Sequence, residues 1–361
     1  MKKRADGRYC KQVLVGYAAD GKRKLINVYG RTIKEVESKE REIKDSIKND
    51  NSFDNPLLKD WLYEWFNAYK ADVSYNTKQI YLTSIKNHIN PCLGNVLLKN
   101  LKTIQIQGFI NEIVKQGKYR TAKICKGTLQ QALRQARIDG IITRDIMEGV
   151  NVASSPAKEK RCITKFELMA IKEADLPPKE RLFLEILLYT GLRRGEALAL
   201  TVRDIDFSHK VIHVHNSLFF KENEAVLKCP KTKAGLRSIP IPDALLQSLK
   251  KYCEKHNGFI IFEMSSGNYM TRSSFTKFWK RIIKKVNMAA DKIRNKTEAL
   301  HISEQEIGFT PHMFRHTYAT NLYYAGVDIK TAQYYLGHAS LNVTLDIYTH
   351  LKKRKHRDFG S

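Results

Sequence analysis

The sequence has few features that would anchor a protein in a membrane or cross-link it outside the cell. It has no long apolar run, and its polar start, MKKRADGRYC, does not resemble a signal peptide. It carries neither a basic amphipathic anchor nor a lipidation motif. Its six cysteines are scattered without a CxxC pair, so neither a zinc site nor a disulfide framework is indicated. We therefore expect a soluble, intracellular protein.

Acidic residues are scarce relative to basic ones. The chain has 63 lysines and arginines against 37 aspartates and glutamates, which gives a formal net charge of +26 over 361 residues. The excess is spread along the whole length rather than gathered in one tail, so every segment could contact phosphate. Nucleic acid is the commonest partner of such a chain. An anionic membrane surface is the alternative, which the missing anchor disfavours.

The first 50 residues predict a small basic module. Valine and tyrosine are frequent over residues 8–17, an Asp-Gly pair at residues 20–21 predicts a hairpin turn, and a second strand is expected at 25–29. A possible capping box of Thr32 and Glu35 would open a helix. Basic side chains crowd both strands. The module could therefore lay a β-ribbon in a DNA groove, and a solvated basic extension is the alternative.

Two polar linkers separate the remaining parts of the chain. Over residues 52–155, apolar residues recur at three- and four-residue steps, which predicts a helical domain with helices near 58–69, 77–89, 103–115 and 121–138. Residues 160–361 mix helices with short strands expected at 202–207, 211–214, 225–228 and 237–241. The expected fold class is therefore mainly α with small antiparallel β-sheets (α+β).

Three local strings carry residue types suited to phosphate chemistry. The first is TGLRRGE at residues 190–196, where glycines on both sides let the backbone turn sharply and present an arginine to a pocket. The arginine fork matches two phosphate oxygens. On its own, this string could equally be an ordinary turn with surface arginines.

The second string is HMFRH at residues 312–316. Residues three apart share a helix face, so His312 and Arg315 can point at one site while Phe314 faces away. His312 and His316 are also spaced like the two histidines of a zinc helix. However, methionine occupies the position where the metalloprotease pattern needs glutamate, so a zinc hydrolase is the weakest alternative.

The third string is LGHASLNVTLDIYTH at residues 336–350. His338 and Tyr348 are separated by a short turn and part of a helix, so they can meet at one centre. Taken alone, Tyr348 could be a partly buried packing residue.

In order and spacing, these strings resemble the tyrosine recombinase family, the phage-type integrases. The resemblance runs from about Cys162 to the end and includes KTKAGLRSIP around Lys231. The N-terminal half, with DGRY, GKRK and VYGRTIKE, looks more weakly like three-domain integrases of Gram-positive conjugative transposons and temperate phages. The resemblance implies a mostly helical catalytic domain with a small antiparallel sheet, and it implies no cofactor or metal.

The resemblance also implies roles for particular residues. Glu196 matches a support residue behind the first arginine, and Lys233 stays open as an alternative to Lys231 because both would lie on one face of a hairpin. The implied catalytic set is Tyr348 as nucleophile, Arg193 and Arg315 on the scissile phosphate, His312 and His338 completing the pocket, and Lys231 as general acid.

The family resemblance implies a site-specific recombinase that cleaves and rejoins DNA through a 3′-phosphotyrosyl bond and a four-way junction, to integrate and excise a mobile element. It implies a module for arm-type DNA sites at 1–50, a core-site-binding helical domain at 52–155 and the catalytic domain at 160–361. The expected partners are double-stranded DNA, a homo-tetramer on that DNA, and accessory DNA-bending or excision factors, in the bacterial cytoplasm. The alternatives are a type IB-like topoisomerase and a catalytically silent DNA-binding regulator.

Overall fold

The computed structural model describes residues 7–17, 23–49, 55–155, 161–229, 235–296 and 306–358. The chain divides into two compact units, Met1–Ala157 and Lys158–Ser361. The finer division at 1–50, 52–155 and 160–361 stays a prediction. None of the helices in the described part combines the length and apolarity needed to cross a bilayer.

The first unit begins with a two-stranded hairpin and a helix. Strands β1 (Tyr9–Tyr17) and β2 (Arg23–Gly30) pair antiparallel and are followed by α1 (Ile33–Asn49). The predicted capping contact is present, because the Glu35 backbone N–H donates to Thr32 Oγ1 at 3.2 Å. The predicted strands and helix are confirmed, while the Asp-Gly turn lies outside the described residues.

Helices form the rest of the first unit. Trp61 and Trp65 are buried among them, and Trp61 Nε1 donates to the Ala132 carbonyl at 2.9 Å. The helix predicted at 77–89 ends in a π-helical turn just before Pro91, which has no backbone N–H to donate. The elements are α2 (Leu58–Tyr69), α3 (Tyr75–Ser84), the π turn (Ile85–Ile89), α4 (Asn90–Leu93), α5 (Thr103–Lys115) and α6 (Tyr119–Ile138).

The second unit surrounds a large apolar core with helices. Phe183 is fully buried and meets Phe262, Phe275 and Phe278 edge-on, with ring centroids 5.1 to 6.0 Å apart. The helices are α7 (Lys165–Glu173), α8 (Pro178–Thr190), α9 (Arg194–Ala199), α10 (Asp243–Cys253), α11 (Arg272–Lys296), α12 (Pro311–Tyr324), α13 (Ile329–Leu336) and α14 (Leu341–Asp358).

Within the described residues of the second unit, two small antiparallel sheets lie beside the helices. One has the strand order β3-β4-β7, and the other is the hairpin β5-β6. The strands are β3 (Ile205–Asp206), β4 (Val211–Val214), β5 (Ser217–Lys221), β6 (Glu224–Lys228) and β7 (Arg237–Pro240). The expected fold class, mainly α with small antiparallel sheets, is confirmed.

One strand prediction was wrong, and one strand was not predicted. The strand expected at 202–207 is only two residues long, because a 3₁₀ turn occupies Val202–Asp204. The Asp204 carboxylate accepts both the backbone N–H and the hydroxyl of Thr201, at 2.8 and 2.7 Å, and this cap stabilises a helical turn. Strand β5 was not predicted, although its alternating burial is typical of a half-buried strand.

Candidate active site

A glycine turn delivers the first arginine. Helix α8 ends at Thr190, and the next residue, Gly191, has a φ of +61°, which lies in the left-handed region. A Cβ at this position would lie 2.3 Å from Tyr318 Cδ1, so the turn also needs the missing side chain. The chain then buries Leu192 and places Arg193 at the N-cap of α9. The sharp turn predicted for TGLRRGE is confirmed.

Arg193 is held from two sides. Its backbone N–H and its Nη1 donate to the two oxygens of Glu196, at 2.9 and 2.7 Å. Its Nη2 donates to the Gly337 carbonyl at 3.0 Å, and 44% of the side chain stays exposed. The guanidinium is therefore fixed in orientation and still reachable by an anion from solvent.

Arg315 lies on α12 and is buried. Its Nη1 donates to the Gly191 carbonyl at 3.0 Å, and its Nη2 donates to the Leu336 carbonyl. Burial and the neighbouring Arg193 cation lower the pKa of Arg315 to about 9. Two like charges held near each other would both be stabilised by an anion bound between them.

The two arginines share one open pocket with His312. Its volume is about 480 Å³, and its lining includes the first turn of α12, where the helix dipole favours an anion. Phe314 points away into the core, as the spacing predicted. The lining is Arg193, Arg194, Gly195, Ser217, Leu218, Thr310, Pro311, His312 and Arg315.

His338 follows the end of α13. Its Nδ1 lies 2.9 Å from Thr344 Oγ1. Burial, together with the Arg315 and Arg193 cations, lowers its pKa to about 4. The imidazole is therefore neutral at neutral pH, and a neutral imidazole can accept a proton.

Among the described residues, Tyr348 does not line this pocket. It lies on α14, its hydroxyl donates to the Val327 carbonyl at 3.2 Å, and its ring meets Tyr323 at a centroid distance of 5.0 Å. Burial and the Asp328 carboxylate raise its pKa above the ordinary value. The structure thus brings Arg193, His312 and Arg315 together at one pocket. The Tyr348 hydroxyl is instead hydrogen-bonded to the Val327 carbonyl. The nucleophile assignment stays a prediction.

Lys231 and Lys233 both lie outside the described residues. They belong to the connection between β6, which ends at Lys228, and β7, which begins at Arg237. The choice between the two lysines therefore also stays a prediction.

Arg237 is a site residue that the sequence analysis missed. Its side chain is 0% exposed, and its two Nη atoms donate to the two oxygens of Glu196 at 2.8 and 3.3 Å. Burial alone would raise the pKa of Glu196, but Arg237 and Arg193 outweigh it and lower that pKa. The sequence did carry a signal for this residue. Arg237 lies on the inward face of β7, alternating with a buried isoleucine, and a buried arginine needs a carboxylate partner.

Within the described residues, no cluster of three or more His, Cys, Asp or Glu side chains is arranged to hold a metal ion.

The phage integrase family matches residues 164–355, more than half of the chain. The N-terminal SAM-like domain of phage integrases matches residues 57–114. The chain therefore belongs to the phage integrase family and is a tyrosine recombinase.

Individual relatives include a tyrosine recombinase XerC-like protein of Caldanaerobacter subterraneus subsp. tengcongensis, which is 27% identical over 94% of this chain and 91% of its own. The transposase from transposon Tn916 of Enterococcus faecalis is 32% identical over 46% of this chain and 40% of its own.

Two solved structures share the fold. The Tn1549 transposon integrase in complex with transposon right end DNA has a TM-score of 0.70 and 23% identity, covering 84% of this chain and 100% of that one. A lambda integrase tetramer bound to a Holliday junction has a TM-score of 0.62 and 22% identity, covering 94% and 95%.

Proposed function

We propose that the protein is a site-specific DNA recombinase that integrates and excises a mobile element, using Tyr348 as the nucleophile on a DNA phosphate. The observation that carries the proposal is the convergence of Arg193, Arg315 and His312 on one open pocket. Both arginines are oriented by backbone carbonyls, and a carboxylate steadies the first of them.

The pocket suits the charge that develops during phosphodiester cleavage. Attack on the phosphorus produces a five-coordinate state with extra negative charge on the nonbridging oxygens. Guanidiniums fixed before the reaction stabilise that charge without reorganising. A single preoriented donor of this kind stabilises the transition state by about 3–4 kcal/mol, so loss of either arginine is expected to slow cleavage strongly.

The nucleophile must lose its proton during attack. A free tyrosine has a pKa of about 10, so ionising it at neutral pH costs about 4 kcal/mol. Burial and Asp328 raise the pKa of Tyr348 further, so it needs a proton acceptor in the pocket. His338 is the proposed acceptor: the neighbouring arginines make it a weak base in the free protein, and a phosphate anion bound to those arginines would raise its pKa.

The proposed strand cleavage needs no cofactor, because each bond that forms replaces one that breaks. The Tyr348 oxygen forms a bond to phosphorus, the bond from phosphorus to the 5′ oxygen breaks, and Lys231 donates a proton to the departing oxygen, with Lys233 as the alternative. The 3′-phosphotyrosyl bond retains the energy of the phosphodiester, so a second 5′ hydroxyl can reverse the step and rejoin the DNA.

The partner we propose is double-stranded DNA, bound by four copies of the chain around a four-way junction. The net charge of +26 supports a polyanionic partner. The complexes of the Tn1549 integrase with transposon end DNA and of a lambda integrase tetramer with a Holliday junction support this assembly. Residues 1–50 would add contacts to separate arm-type sites, and DNA-bending or excision factors would be further partners.

The test is incubation with a nicked duplex that carries a candidate junction sequence, followed by a denaturing gel. The wild type should form a covalent protein–DNA adduct, and Tyr348→Phe should bind the duplex without forming one, because only the attacking oxygen is lost. Arg193→Ala and Arg315→Ala should each slow adduct formation at least about a hundredfold.

Tyr324→Phe is the matched control, because Tyr324 is a 61% exposed tyrosine on α12 and should leave adduct formation unchanged. A stable adduct formed by Tyr348→Phe would exclude Tyr348 as nucleophile. Relaxation of supercoiled DNA without strand exchange would identify a type IB-like topoisomerase instead. Binding with no adduct from the wild type would favour a silent regulator.

A further inference from the structure

Successive backbone carbonyls at the end of α13 are each bound by a different arginine. Carbonyls at a helix C-terminus carry partial negative charge, so this end of α13 attracts guanidinium groups. His338 is the next residue after the three whose carbonyls are bound. The contacts are Arg237 Nε to Tyr335 O at 2.8 Å, Arg315 Nη2 to Leu336 O, and Arg193 Nη2 to Gly337 O at 3.0 Å.

Arg237 differs from the other two arginines in its exposure. Its side chain is 0% exposed, whereas 44% of the Arg193 side chain is exposed, so Arg237 cannot itself reach a DNA phosphate. Its fork is shared between two structural partners, the Glu196 carboxylate and the Tyr335 carbonyl. Its contribution to the chemistry must therefore pass through other residues.

Glu196 is the first of those routes. The same carboxylate accepts from Arg237 Nη2 at 2.8 Å and from Arg193 Nη1 at 2.7 Å. With 7% of its side chain exposed, Glu196 has little water to replace a lost donor. The position of Arg237 therefore sets the position of the carboxylate that orients Arg193.

The α13 end is the second route. Besides the Arg237 contact to Tyr335 O, the Ser238 backbone N–H donates to the Tyr334 hydroxyl at 3.0 Å. Strand β7 is thereby fastened to the last turn of α13, one turn before His338. The α13 end is held by residues that lie far from it in sequence.

We propose that Arg237 is a positioning residue for strand cleavage, which holds Glu196 with Arg193 and the α13 end with His338 in one arrangement. The proposal rests on the recombinase function proposed above. A lysine at this position would keep the charge but lose the planar fork, so it could not serve the carboxylate and the carbonyl together.

The test is Arg237→Lys in the full chain, assayed for adduct formation on the nicked duplex. The rate at saturating DNA should fall about tenfold or more, because small displacements of catalytic groups cost that much, while the DNA dissociation constant should change less than about twofold. Circular dichroism establishes that the variant is folded at the assay temperature.

Arg161→Lys is the matched control, because Arg161 binds Glu167 with two hydrogen bonds of 2.7 and 2.9 Å in the same unit, and its fork is lost in the same way. Its rate should stay within about twofold of the wild type. Equal rates for the wild type and Arg237→Lys would overturn the proposal, as would equal slowing in both lysine variants. A wild type that forms no adduct would instead refute the recombinase function.

If Arg237→Lys does not fold, the same adduct assay on Tyr334→Phe tests the proposal. Tyr334 is 48% exposed, so its substitution spares the core, yet it removes the acceptor of the Ser238 N–H and loosens the same joint. Slower cleavage with unchanged DNA affinity supports the proposal. Cleavage at the wild-type rate overturns it.

Discussion

The contact between α9 and β5 allows a sharp test of the site's architecture. Gly195 follows the arginine pair Arg193 and Arg194 and packs directly against the backbone of β5. A Cβ built on Gly195 would lie 2.3 Å from the Leu218 carbonyl oxygen and 2.7 Å from Ser217 Oγ. The substitution Gly195→Ala therefore cannot be accommodated unless β5 moves away from α9.

The magnitude follows from two opposing effects. Replacing glycine by alanine in a helix stabilises it by at most about 1 kcal/mol. Overpacking costs about 1–3 kcal/mol, and the upper end applies here because the obstructing atom belongs to the backbone of a paired strand. We expect Gly195→Ala to lower the free energy of unfolding of the second unit by about 2 kcal/mol. Because β6 continues into the connection that carries Lys231, cleavage should also slow by about tenfold.

The assay is urea unfolding followed by hydrogen-exchange mass spectrometry, which reports the two units separately. Gly108→Ala is the control, because Gly108 lies in α5, and an added Cβ would meet no atom within 4 Å beyond its chain neighbours and the backbone of its own helix. That variant should gain up to about 1 kcal/mol in the first unit and cut DNA normally. A Gly195→Ala protein as stable and as active as the wild type would refute the packing argument.

Two further predictions concern titration and proton donation. The pKa of His338 is about 4 in the folded chain against 6.5 ordinarily, so the unfolded chain binds the proton first and stability falls as the pH drops from about 6.5 to 4. Allowing for solvent screening, we expect the free energy of unfolding, measured in urea, to be about 1–2 kcal/mol lower at pH 4.5 than at pH 7.5. If His338→Gln loses as much stability between these pH values, a group other than His338 is responsible. Lys231→Ala should cleave ordinary DNA slowly and recover on a substrate with a sulfur leaving group, since a thiolate needs little protonation. If only Lys233→Ala recovers its cleavage rate on the sulfur substrate, Lys233 rather than Lys231 is the general acid.

The parts of the site that obey local rules were predictable from the sequence. The Gly191 turn follows from backbone sterics, and the spacing of His312 and Arg315 follows from the helix period. Both depend on neighbours within a few residues, so the sequence contains the necessary information. The same is true of the capping contact between Thr32 and Glu35.

Other parts depend on contacts that are distant in sequence. The Arg237 carboxylate partner, Glu196, lies 41 residues away, and its carbonyl partner, Tyr335, lies 98 residues away. The hydroxyl of Tyr348 is placed by how α14 packs on its neighbours, which helix periodicity does not determine. The strand expected before Asp206 was lost to the Asp204 cap, because a side-chain acceptor competed with strand pairing.

The hydrogen bond between the Tyr348 hydroxyl and the Val327 carbonyl has a consequence for fidelity. Under the mechanism proposed above, a protein that carries both a nucleophile and two anion-binding guanidiniums risks reacting with any phosphodiester it meets. Here the phenol donates to the chain's own backbone, and burial and the Asp328 carboxylate, which raise its pKa, disfavour its ionisation further. Under that mechanism, this oxygen attacks a phosphate only after it leaves the Val327 carbonyl. Discrimination would then occur after binding, and an incorrect site would be held and released uncut.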